Sequence, residues 1–145
     1  GPSAAHQNRR ERRSLAPEFD DPGATTGDDP ATCIALAKQH LATRDLRRAA
    51  KLLEQVVSQI PDPEALLLLA KIELERIQTQ PQALEHLRQA TVEHPQLTEA
   101  WLMLANYWSL RGQVEKQRRC LEKILAYDPK NADARNTLTL LLTRR

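Results

Sequence analysis

A chain of 145 residues is one domain in size and long enough to bury a core if most of it folds. Its formal net charge of +2 is close to balance, and no run of about 18 apolar residues is present to cross a membrane as a helix. Cys33 and Cys120 are the only cysteines, which excludes a disulfide framework; they read as small apolar residues on helix-packing faces.

Residues 1–29 hold one apolar cluster, Leu15 to Phe19, among Gly, Pro, Ser, Thr, Asp and Arg. Such a segment cannot repay the entropy of ordering, so a disordered tail is expected. Its charge is blocked: Arg9, Arg10, Arg12 and Arg13 come first, then Glu18, Asp20, Asp21, Asp28 and Asp29. The opening Gly-Pro-Ser reads as a protease-cleavage scar, with the upstream sequence removed. The arginine block looks like the basic flank on the cytoplasmic side of a membrane helix. Residues 14–29 are then either a leash to a preceding anchor or a plain linker.

From Pro30 onward the chain is rich in Leu, Ala, Gln, Glu, Lys and Arg, the residues that lose least on entering a helix, and has a single glycine. Apolar spacing of three and four predicts helices over 31–42, 46–57, 64 to about 77, 81–90, 99–110, 114–125 and 132–143. Asp29-Pro30, Asp62-Pro63 and Asn131 stand where N-caps and first-turn prolines belong, and Asp45 caps the second helix. Gly112 supplies a left-handed stop after Leu110. Pro61, Pro95 and Pro129 recur at a period of about 34 residues, which divides the chain into units of about 30–62, 63–97 and 98–131, followed by a last helix.

The third unit resembles a tetratricopeptide repeat nearly position for position: Trp101, Leu104-Ala105, Trp108, Gly112, Leu121, Ile124 and Asp128-Pro129. The first keeps Leu36-Ala37, Asp45-Leu46, Ala49, Leu53, Val56 and Pro61, with His40 in the place of an aromatic. The second keeps Leu69-Ala70, Ala83, Leu87, Ala90 and Pro95, with Glu73 in that place and one extra residue near Gln78 to Gln80. Gln117 and Arg118 stand where small residues normally seat the two helices of a unit, so looser packing is expected there. The resemblance implies an all-α, right-handed α-solenoid of about three helix hairpins closed by a capping helix. In that last helix Leu138, Leu141 and Leu142 are expected to face the third hairpin, with Asp133, Arg135 and Asn136 outward.

The same resemblance implies a concave groove lined by the first helix of each pair. Carried over by position, its lining is Ile34, Ala35, Lys38 and Leu41, then Leu67, Leu68, Lys71 and Leu74, then Glu99, Leu102, Met103, Asn106 and Leu110. The run from Ala65 to Ala70 is apolar nearly all round its helix. It is either a core helix packed on several sides or an exposed patch of Leu67, Leu68 and Leu74 that marks a partner site. The carboxylate clamp by which some members of the family hold chaperone tails is at most fragmentary here.

The expected function is therefore that of an adaptor or scaffold binding a peptide or helix of a partner protein in the groove. The alternative is a self-associating assembly scaffold, possibly the soluble part of a membrane-anchored bacterial envelope, secretion or cytochrome-maturation protein. No catalysis, cofactor or small-molecule substrate is expected, since there is no phosphate loop and no nucleophile motif. His86 and His94 are two helical turns apart, too far to share a metal. His40 is expected to pack within its hairpin, and the other two to be solvated. Arg47, Arg48 and Lys51, like Lys116, Arg118, Arg119 and Lys123, are interleaved with Glu54, Glu115 and Glu122 and read as solvated faces rather than a nucleic-acid site.

Overall fold

A computed structural model describes residues 29–144, and what the sequence predicts of the tail, its charge blocks and any anchor lies outside them. Seven α-helices and one short 3-10 turn account for the described elements: α1 (Pro30–Ala42), α2 (Leu46–Val57), α3 (Pro63–Leu74), the 3-10 turn (Ile77–Thr79), α4 (Gln80–Glu93), α5 (Thr98–Leu110), α6 (Val114–Tyr127) and α7 (Ala132–Thr143). No strand occurs among the described residues.

The chain divides into two compact units, one ending at Gln55 and one starting at Val56. In the first, the turn after α1 places Arg44 in the left-handed region at φ 60°. The Asp45 amide donates to the His40 carbonyl at 2.8 Å, and the Arg48 amide donates to the Asp45 carboxylate at 3.3 Å, so Asp45 is the cap of α2. The Arg48 amide, and then its guanidinium, hold the Asp45 carboxyl below its ordinary value. Asp29 differs from expectation: its carboxylate takes the Thr32 hydroxyl, not a helix amide. Cys33, Ile34, Ala37, Ala49, Leu52 and Leu53 are buried.

In the second unit, α3 pairs with α4 and α5 with α6, while α4 lies on α5 and α7 closes against α6. One buried cluster runs through all five helices, from Leu66, Leu67 and Ala70 through Ala83, Leu87, Ala100 and Leu104 to Leu121, Ile124 and Ala134. Small buried alanines let helix axes approach closely, and the buried leucines fill the space between layers. Asp62 and Asn131 cap α3 and α7, each accepting a backbone amide three residues on at 2.9 Å.

The expected end of the third helix is corrected. α3 stops at Leu74 because the Thr79 hydroxyl takes the Glu73 carbonyl at 2.6 Å and the Gln80 amide takes the Leu74 carbonyl at 3.1 Å. These two side chains satisfy its last carbonyls, and the intervening residues become the 3-10 turn. The outward face of α7 is corrected too. Leu138 and Leu141 pack on the cluster, but Leu140 and Leu142 are 64% and 62% exposed.

Candidate protein-binding surface

Surface chemistry on the second unit follows from which residues its core consumes. α3 is apolar nearly all round because it is a core helix: Ala65, Leu66, Leu67, Leu69 and Ala70 are all buried. The sharper reading, an exposed patch of Leu67, Leu68 and Leu74, is therefore corrected. Leu67 is 7% exposed within the cluster that also holds Ala100 and Leu104, Leu74 packs against it, and Leu68 is half-buried.

What the core leaves outside is a wall shared by α3 and α5. Lys71 Nζ lies 3.0 Å from Glu99 Oε2, and both side chains are about half exposed, so a side-chain ion pair bridges the first helices of consecutive hairpins. An exposed pair of this kind adds little stability. Its value is geometric, since it marks the register of the two helices. Along α5, Glu99, Leu102 and Asn106 follow at three and four residues, all exposed, with Met103 half-buried against the core. Leu102 is 41% exposed, an apolar side chain the fold does not need inside. Leu110, at the end of α5, is the most exposed of the large apolar residues among those described.

In the first unit, Ile34 is 7% exposed and so belongs to the interior rather than to an open surface. Lys38 and Ala35 are exposed and Leu41 is half-buried.

The histidines are less solvated than expected. His86 Nδ1 lies 2.7 Å from Oε1 of the buried Glu73, a pair that joins α4 to α3. His94 Nε2 lies 2.6 Å from the Pro61 carbonyl and ties the end of α4 to the segment leading into α3. His40 packs with its Nε2 buried and without a hydrogen-bond partner. No group of three metal-ligating side chains occurs among the described residues. No described helix is long and apolar enough to cross a membrane.

A second concave feature went unseen in the sequence: a cavity of about 490 Å³ between α4, α5 and α6, lined by Trp101 and Trp108. Gln117, where looser seating of the two helices was expected, is instead buried between them. The cavity's one sequence signal is matched spacing: Trp101 and Trp108 are seven apart on α5, and Lys116 and Lys123 are seven apart on α6.

No protein-family model and no curated protein matches the chain. Among solved structures it is similar to two crystal structures of MamA, a tetratricopeptide-repeat protein. One is matched at 19% identity and a TM-score of 0.67 over 78% of this chain, the other at 20% and 0.66 over 83%. The fold is a tetratricopeptide-type α-solenoid. The chain spans 66% and 63% of the length of those two proteins. Identity this low carries the tetratricopeptide architecture across and leaves function to be argued from the surface.

Proposed function

We propose that the chain is a protein-interaction module, an adaptor or scaffold that holds a segment of a partner polypeptide along the wall formed by the first helices of its hairpins. The observation that carries this reading is the Lys71–Glu99 pair, which bridges α3 and α5 at the surface, with Leu102 exposed three residues along α5 from Glu99. A partner side chain laid on Leu102 and Met103 would bury apolar area, and Lys71, Glu99 and Asn106 would orient it. Leu68 on α3 is the further contact proposed in this unit, and Lys38 and Leu41 on α1 are proposed as contacts of the first unit taken by itself. No catalytic role, cofactor or small-molecule substrate enters the reading. Affinity capture with the full chain, compared with a Leu102→Glu variant of unchanged helical circular dichroism, tests it. Partner recovery should fall about tenfold or more, since a charge replaces a desolvated apolar contact. Equal recovery by the variant would move the site elsewhere.

A second reading, self-association, is favoured by Leu140 and Leu142, which give α7 an apolar outer face where a cap would be polar. If it holds, sedimentation velocity shows a concentration-dependent dimer that Leu140→Lys with Leu142→Lys returns to monomer. A monomer at every concentration removes it.

A further inference from the structure

The cavity between α4, α5 and α6 has a floor and a rim of different chemistry. Leu84, Leu104, Trp101, Trp108 and Cys120 supply apolar lining, and Arg88, Lys116, Arg119 and Lys123 supply four cations with no carboxylate among the lining residues. The tryptophans are held in place. Trp101 Nε1 donates to the Pro95 carbonyl at 2.8 Å, and Trp108 meets Tyr107 edge-on at 4.9 Å between ring centroids. Each indole carries an ammonium: Lys116 Nζ is 4.3 Å from the Trp108 centroid and Lys123 Nζ is 5.8 Å from that of Trp101.

Lys116, Arg119 and Lys123 follow one another at three and four residues on α6, a row about 10 Å long at the α-helical rise. The carboxylates beside this row are engaged elsewhere, because Glu115 and Glu122 both pair with Arg118. Arg88 lines the same cavity from α4, with the exposed Glu85 carboxylate at 3.7 Å. A rim of one sign around a preformed apolar pocket is built for an anion that carries an apolar group.

We propose that this cavity is a second docking site, for an acidic segment of a partner polypeptide that inserts one bulky apolar side chain between the two tryptophans. Three cations spread over two helical turns match carboxylates distributed along an extended chain, whereas a single small anion would meet one or two of them. Single-stranded nucleic acid is the poorer match, because base stacking needs a bare aromatic face and each indole has a lysine over it. The site is separate from the α3–α5 wall and does not rest on it.

Trp101 and Trp108 are the only tryptophans of the chain, so intrinsic fluorescence reports on this cavity alone. The probe is the Trp-free peptide acetyl-Glu-Asp-Phe-Asp-Glu-amide titrated into the full chain. A saturable change in tryptophan emission is expected that weakens with added salt. The neutral analogue acetyl-Gln-Asn-Phe-Asn-Gln-amide should bind about tenfold more weakly, as should the acidic peptide to Lys116→Glu with Lys123→Glu. No saturable change, or equal binding of the neutral peptide to the unaltered protein, overturns the proposal without recourse to any variant. Phenylacetate binding as tightly as the peptide overturns the choice of a polypeptide, and an oligothymidylate binding more tightly overturns it in favour of nucleic acid.

Discussion

Arg44 and Gly112 occupy the same place in two turns that share one hydrogen-bond pattern. In each, three successive amides return to the last turn of the helix: Thr43, Arg44 and Asp45 to His40 and Leu41, and Arg111, Gly112 and Gln113 to Trp108 and Ser109. Both central residues have positive φ, 60° and 69°. Glycine adopts that conformation without cost, whereas a Cβ is strained there. A Cβ on Gly112 would meet no atom within 4 Å, so the cost of Gly112→Ala is that of the backbone alone. Urea unfolding should show Gly112→Ala destabilised by about 1 kcal/mol and Arg44→Gly stabilised by about 0.5 kcal/mol. Shifts of the same sign would mean that the two turns are not equivalent. Chemistry at Cys120 follows equally from place: burial pushes its thiol up to about 11, which fits a packing residue and not a nucleophile.

At the scale of the helix, the second hairpin shows how an aromatic position can be filled by a hydrogen-bonded pair of polar side chains. Glu73 on α3 is buried, and His86 on α4 covers it at 2.7 Å. Removing one partner leaves the other buried and unmet, whereas removing both leaves an apolar contact. His86→Leu should therefore cost about 3 kcal/mol and Glu73→Leu about 2 kcal/mol, while the double variant lies within about 1 kcal/mol of the unaltered protein. Additive losses in that cycle would show the pair to be incidental. Glu73 and the extra residue of its turn were both legible in the sequence, but the hydrogen bonds that give them meaning were not. Those bonds join residues six to 13 apart, Thr79 to Glu73, Gln80 to Leu74 and His86 to Glu73, beyond what local propensity can report. The same limit explains α3: a helix apolar nearly all round reads alike whether its leucines are packed or open.

Across the whole molecule, the period set by Pro61, Pro95 and Pro129 and the order of seven helices were legible, because each hairpin repeats the same local signals. Exposure was not, since it depends on which neighbour arrives: Leu67 and Leu102 occupy corresponding places and differ from 7% to 41%. The tryptophan cavity was hidden for another reason. A cationic row interleaved with glutamates looks like a solvated face until Arg118 is seen to engage Glu115 and Glu122. The interaction reading depends on the α3–α5 wall being the face a partner meets. Photo-crosslinking measures this directly, with benzoylphenylalanine placed at Leu102 in one protein and at Ile77, exposed in the 3-10 turn, in another. The account predicts a discrete adduct with a single partner segment from position 102 and none from position 77; adducts of equal yield from both, or from 77 alone, would contradict it.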